Sequence, residues 1–357
     1  MNLPRIDTEQ LFEERAAQFI AWGIPRSTVE RVRARVQDMW ADAPGGFCFE
    51  WGLEAEAMER IAPMRAVPLW GAARFPAACT EGRKLALARQ RACYLRAAAG
   101  FPAAFERRVI DGVPTHLFTR RPDAPLVLLS GGLDTFKMDL HRLAIGLVRA
   151  GLRVAAIDMP GTGETPGPLR PDAHLAYEAV LDATARGARR GIFGLSFAGH
   201  WAAKLALRAT VDAAIDIGGP LGVAPFDAAF VRNLPNGMSH SLAHALGAPA
   251  LPSPEALGAL FEAFALRDHL PRLRTPLLVM NGDADPYIGL QETTAFRVSR
   301  SAEVRVLRGA KHCAGDRFAR VAPYAIAWLR AQLAPQAGTR ALLRVTRLLL
   351  PAQARSA

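Results

Sequence analysis

Along the first hundred residues apolar positions recur at roughly helical intervals and are broken by turn residues. From about residue 103 the texture changes to short apolar runs separated by amphipathic stretches of helix length. In the first region Ser27-Thr28-Val29-Glu30 reads as a capping box after Pro25. It would open a helix carrying Val29, Val32, Val36 and Trp40, with Pro44-Gly45-Gly46 as its stop. Further helices are expected over about 50–62 and 81–99. Trp22, Trp40, Trp51 and Trp70 are expected to anchor the buried face of this layer, because a helical layer must bury its apolar side against something.

In the second region, segments 105–110 and 113–119 flank Asp111-Gly112, a strong short-range hairpin signal. Strand-like runs follow at 125–129, 152–157, 191–193, 211–217, 276–280 and 304–307. Buried strands alternating with helices predict an α/β fold, a mostly parallel sheet with helices on both faces. Residues 219–270 are too long for a simple crossover and read as a helical insertion, a lid over the carboxyl edge of the sheet. The expected organisation is a helical cap segment over 1–102, a core made of 103–218 and 271–334, the lid over 219–270, and a tail over 335–357. The tail stretch RALLRVTRLLLP reads as a docked or frayed helix rather than a membrane anchor.

Length and charge narrow the classes. With 357 residues, 50% of them hydrophobic, the chain can bury a large core. The net charge of +11 comes from 44 basic residues, of which four are Lys, and no basic cluster alternates with aromatics. Nucleic acid is therefore not an expected partner, and the excess charge favours solubility and anionic substrates. Cys48, Cys79, Cys93 and Cys313 show no C-x-x-C spacing, which fits a reduced, cytoplasmic setting. The first twenty residues carry acidic groups and no continuous apolar segment, against a secretory signal, and no apolar run is long enough for stable membrane insertion.

The sharpest chemical signal is Gly194-Leu195-Ser196-Phe197-Ala198-Gly199, after an apolar strand and before a helical segment. A strand-to-helix turn of this kind lifts a serine hydroxyl above the sheet edge and needs small neighbours, a need Ala198 still meets. Ser196 is the candidate nucleophile. A serine needs a base oriented by a carboxylate, and on this architecture the acid and the histidine follow on later strand ends. Asp285, in the loop after the 276–280 strand, is the candidate acid, with Asp283 as the alternative. Of eight histidines only His312 falls just beyond a late strand, which makes it the candidate base. Gly131-Gly132 ends another strand and lets backbone amides turn inward, so the amides of Leu133 and Phe197 are the candidate oxyanion donors. Asp134 and Lys137 are expected to fix that loop, and His200 to pack or cap. His240 and His244 lack the Glu and third ligand of a zinc site, and the PGTGET turn lacks a P-loop lysine. No metal and no cofactor are expected.

Together GGLDTFKMD, DMPGTGETP, GLSFAGHWAAKLA, DAAIDIGGP, GDADPYI and GAKHC resemble the FrsA-like esterase and 2,6-dihydroxypseudooxynicotine hydrolase branch of the α/β-hydrolases, over about residues 103–333. The resemblance implies a cofactor-free hydrolase in which the nucleophile, acid and base fall on Ser196, Asp285 and His312, with the amino-terminal helices helping to cap the site. It also implies cleavage of an ester, a thioester or, in some members, a carbon–carbon bond. In certain members an extra acidic residue assists carbon–carbon cleavage, and Asp227 is the candidate here. Acyl transfer and a non-catalytic binding role on the same fold remain the alternatives. The expected partner is a hydrophobic small molecule, and a homodimer is an open alternative to a monomer.

Overall fold

The computed structural model describes residues 6–350 apart from residue 236; the last residues of the tail, 351–357, lie outside the described residues. Five helices come first: α1 (Thr8–Trp22), α2 (Arg26–Arg33), α3 (Phe47–Glu59), α4 (Pro63–Ala73) and α5 (Glu81–Ala97). Three features differ from the sequence reading. Pro25 rather than a serine stands at the N-cap of α2, and no side chain caps that end. The α2 helix stops at Arg33 because the amides of Gln37 and Asp38 turn to the carbonyl of Gly45, while Asp38 Oδ1 accepts from Trp40 and Ala41. The expected 50–62 helix is α3, shifted to Phe47–Glu59, and a further helix, α4, follows it, with Pro63 pre-set for its first turn.

The hairpin β1 (Ala104–Ile110) and β2 (Val113–Thr119) turns through Asp111 and Gly112 at φ 47° and 77°, the left-handed pair its tight turn requires. Then come β3 (Leu126–Ser130), α6 (His141–Arg149), β4 (Arg153–Ile157), α7 (His174–Ala185), β5 (Arg190–Leu195), α8 (Phe197–Leu207) and β6 (Ala213–Ile217). Within 219–270 lie α9 (Ala228–Arg232), α10 (Met238–Ala245) and α11 (Pro254–Glu262). The chain ends with β7 (Leu277–Gly282), α12 (Leu290–Thr294), β8 (Ala302–Leu307), α13 (Phe318–Leu333) and α14 (Ala337–Leu348). The single sheet has the order β1-β2-β4-β3-β5-β6-β7-β8, antiparallel at β1-β2-β4 and parallel from β4 onward.

Strands β3 through β7 are buried throughout, apart from the half-buried Arg190 that opens β5, because helices cover both faces. One apolar cluster joins one face of the sheet to the amino-terminal helices and α13; the other joins the opposite face to α7, α8 and the 219–270 helices. Trp51 and Trp70 are buried in the first cluster, and Trp22 and Trp40 pack at its edge. The tail helix α14 follows α13 through a capping box at Gln336 and Thr339, and Arg347 pairs with Glu303 at 3.0 Å. Among the described residues no helix is long and apolar enough to cross a membrane.

Candidate functional site

The carboxyl ends of β5, β7 and β8 deliver three side chains to one point. Ser196 stands between β5 and α8 at φ 54°, ψ −132°, a strained conformation costing on the order of 1–3 kcal/mol. The bend leaves no room beneath it. A Cβ at Gly194 would strike the Ala198 carbonyl and one at Gly199 would strike the Asp216 carboxylate, whereas Ala198 itself fits fully buried. The small-residue requirement therefore falls on 194 and 199, which explains how Ala is accommodated at 198. Burial pushes the Asp216 carboxyl up to about 7, despite the opposing hydrogen bond it accepts from the Gly219 amide.

Ser196 Oγ lies 2.9 Å from His312 Nε2, and His312 Nδ1 lies 2.7 Å from Asp285 Oδ2. The same Asp285 oxygen accepts from Asn281 Nδ2 at 2.7 Å, and Oδ1 accepts from the amides of Tyr287 and Ile288 at 2.7 and 3.2 Å. Burial alone would raise the Asp285 carboxyl, but His312 and these donors hold it below its ordinary value. Burial likewise favours a neutral imidazole, yet Cys313 and the Asp285 carboxylate reverse this and raise His312 well above its usual range. The alternative acid, Asp283, is turned away and accepts from the Gly309 amide at 2.5 Å, closing the β7 loop onto the turn after β8.

The histidine is held from below. Cys313 stands at φ 55°; its amide donates to Asn281 Oδ1 at 2.9 Å and its thiol to the Ile217 carbonyl at 3.0 Å. Asn281 thus braces both the carboxylate and the histidine turn. No motif in the sequence singles it out, although its position at the end of β7 is a usable signal.

Leu133 and Phe197, whose amides are the candidate oxyanion donors, both line the cavity containing Ser196 and His312. Phe197 opens α8, so its amide is one of the unpaired N–H groups of that helix end. Gly132 approaches so closely that a Cβ there would stand 2.7 Å from Ser196 Oγ and 3.1 Å from the Phe197 nitrogen. The rest of the lining is apolar, including Phe230, Met238, Leu242 and Phe261 from the 219–270 helices. Tyr287 is the one polar side chain there besides Ser196 and His312; its ring packs 4.8 Å from the histidine ring. Burial pushes its phenol up to about 12, against the charge of Arg15. Asp227 does not join this lining: it is exposed, and its carboxylate caps α9 by accepting from the Phe230 amide at 2.9 Å.

The amino-terminal helices grip the loop that follows β3, a role sequence reading missed. Arg15 of α1 pairs with Asp134 at 3.2 Å, and Gln18 donates to Thr135 at 3.1 Å. Arg74, just past α4, donates to the Asp134 carbonyl at 3.1 Å and forms a buried pair with Asp139. From below, buried Lys137 reaches Asp158 at 2.5 Å and Glu164 at 2.8 Å. The PGTGET turn thus supplies a carboxylate to the β3 loop. His200 Nδ1 donates to the Pro220 carbonyl at 2.9 Å, consistent with a packing role. Among the described residues no group of three or more His, Cys, Asp or Glu is arranged to hold a metal ion.

Comparison with known proteins places this geometry. The FrsA-like esterase family model matches residues 96–334. Esterase FrsA of Vibrio cholerae serotype O1 is 32% identical over 115 residues, which is 30% of this chain and 28% of that protein, so the match spans under a third of the curated relative. Among solved structures, wild-type AbyA5 superposes with a TM-score of 0.81 at 22% identity, covering 95% of this chain and 99% of that one. The 2,6-dihydroxy-pseudo-oxynicotine hydrolase gives a TM-score of 0.68 at 21% identity, covering 89% and 95% of the two chains. These likenesses show the α/β-hydrolase fold.

Proposed function

The chain belongs to the FrsA-like esterase family, and on that premise we propose that it is a serine hydrolase cleaving an ester or thioester bond of a hydrophobic small molecule. The observation that carries this reading is the unbroken chain of contacts from Ser196 Oγ through His312 to Asp285, at 2.9 and 2.7 Å. In the reaction Ser196 Oγ attacks the substrate carbonyl while His312 Nε2 takes its proton. Asp285 keeps the Nδ1 proton of the ring in place and stabilises the imidazolium. The amides of Leu133 and Phe197 receive the developing oxyanion. Collapse of the tetrahedral intermediate breaks the bond to the leaving group, which His312 protonates. Water, deprotonated by the same ring, then releases the acid and restores Ser196.

Carbon–carbon cleavage would need a further proton donor or stabiliser for a carbanion-like leaving group. The exposed position of Asp227 as a helix cap argues against its serving there, and the apolar lining suits an acyl chain. The test is a panel of p-nitrophenyl esters beside 1,3-diketones, with product analysis in the presence and absence of added alcohol or amine acceptors. Release of p-nitrophenol with water as acceptor supports the reading; hydrolysis of the diketones alone, or transfer to the acceptors alone, overturns it.

Two further outcomes are expected. Gly132→Ala inserts a methyl group into the space between Ser196 Oγ and the Phe197 amide. It should lower kcat about 10²–10³-fold, the loss typical of a spoiled oxyanion site, and lower the thermal midpoint somewhat, since the new methyl would also stand 2.7 Å from Ser196 Cβ. For pH, the base must be neutral to accept the serine proton. Because His312 is raised above its ordinary value of 6.5, the ascending limb of kcat/KM should be centred on the alkaline side of 6.5. A limb at or below 6.5 contradicts this assignment of the base.

A further inference from the structure

The cavity at Ser196 is small, about 50 Å³, and almost wholly apolar. A second, much larger cleft of about 620 Å³ adjoins it, and Leu133 lines both. Its size falls in the range of small-molecule sites, whereas 50 Å³ holds little more than the reacting group. The cleft lies where five segments meet: the loop before α5, α5 itself, the loop after β3, the loop after β4, and α10 with the turn that follows it. Its character differs from that of the catalytic cavity. Lys84 of α5, Arg170 and His244 of α10 line it, and no Asp or Glu does.

The two cations there are available. The Arg170 side chain is exposed and makes no ion pair with any described residue. Among the described residues Lys84 pairs only with Glu81 at 2.7 Å, a surface contact three residues along its own helix with both side chains more than half exposed. Such a pair contributes little and readily exchanges one carboxylate for another. Several other arginines are matched with acids, as in the pairs around Glu54, Glu59 and Glu164. An uncompensated positive cleft beside a reactive serine attracts and orients an anion.

We propose that this cleft is a second subsite that holds a carboxylate borne by the substrate, so that the substrate is an ester with an apolar segment at Ser196 and an anionic end near Lys84 and Arg170. The inference deepens the serine-hydrolase reading and rests on it. It also reconciles the apolar catalytic cavity with a chain of net charge +11. The substrate reaches from one cavity to the other past Leu133, whose amide would bind the oxyanion.

The test compares p-nitrophenyl half-esters of succinic, adipic and suberic acids with neutral p-nitrophenyl esters of equal chain length, using the full chain. For at least one length, kcat/KM for the half-ester should exceed that for the neutral ester about tenfold, chiefly through KM. The preference should fall as salt rises and should collapse towards one in Lys84→Ala/Arg170→Ala. A wild-type ratio near one at every length, or a ratio that survives the double substitution, overturns the proposal. If no ester is turned over, the hydrolase reading fails by itself. The subsite is then judged by calorimetry of adipic acid monoanilide with the full chain: salt-sensitive binding lost in the double variant upholds it, and absence of binding overturns it.

Discussion

Ser196→Ala is expected to lower kcat on a p-nitrophenyl ester about 10⁴- to 10⁶-fold and to abolish labelling by a fluorophosphonate probe. Ser196 Oγ is the only hydroxyl within hydrogen-bonding distance of His312 Nε2 among the described contacts, so the base has no substitute to activate. Asp285→Asn should be milder but still severe. It removes the charge that stabilises the imidazolium; the amides of Tyr287 and Ile288 still hold the side chain through its remaining oxygen, but its NH2 then faces the Asn281 amide and His312 Nδ1 as a donor. The Ser196→Ala protein should remain folded, and Ser196→Gly should be the more stable of the two because glycine adopts φ 54° without strain. Kinetics, probe labelling and a thermal melt of the same preparations separate loss of chemistry from loss of fold. Full labelling of Ser196→Ala would show that another residue reacts.

Lys137→Ala should destabilise the protein by about 3–5 kcal/mol in denaturant unfolding at neutral pH. The Lys137 side chain and that of Asp158 are fully buried and Glu164 is nearly so, so removing the cation strands two carboxylates away from water. Burial pushes Glu164 up, but Lys137 and Arg107 outweigh this and lower it to about 2. In the native protein this carboxylate therefore contributes stability that is complete above its unfolded value near 4.5 and is lost as pH falls towards 2. Without Lys137 the balance reverses and protonation relieves the buried charge. The gap between Lys137→Ala and the parent should thus narrow as pH is lowered from 7 towards 4. An equal gap at both pH values would mean that Lys137 contributes packing rather than charge. Activity should fall as well, because Asp158, which also accepts from the residue-137 amide at 2.7 Å, loses the cation that holds it beneath the loop carrying Leu133.

The parts of the fold that could be read from the chain were those encoded within a few neighbouring residues. The Asp111-Gly112 turn and its flanking strands lie where expected, as do the six later strands to within a residue or three at either end, because apolar runs and turn residues act locally. The serine bend was legible for the same reason: small residues at 194, 198 and 199 between a strand and a helix answer a steric demand inside six residues. The amino-terminal layer is less legible in its sequence. Apolar spacing from Val29 to Trp40 continues a helical pattern, but the backbone leaves the helix at Arg33 to close on Gly45, and a contact made by the loop overrides the periodicity.

By itself the sequence determined an α/β chain with a serine on a strand-to-helix bend and with Asp285 and His312 on later strand ends. Only the tertiary structure decided that Ser196 and His312, 116 positions apart, come within 2.9 Å, and that Asp285 rather than Asp283 faces the ring. It alone revealed that Arg15, Gln18 and Arg74 clasp the loop after β3 from sixty or more residues away. The reason is physical. Turn chemistry and hydrophobic period are properties of short segments, whereas convergence depends on the register of parallel strands and on how a separate helical layer packs across their ends.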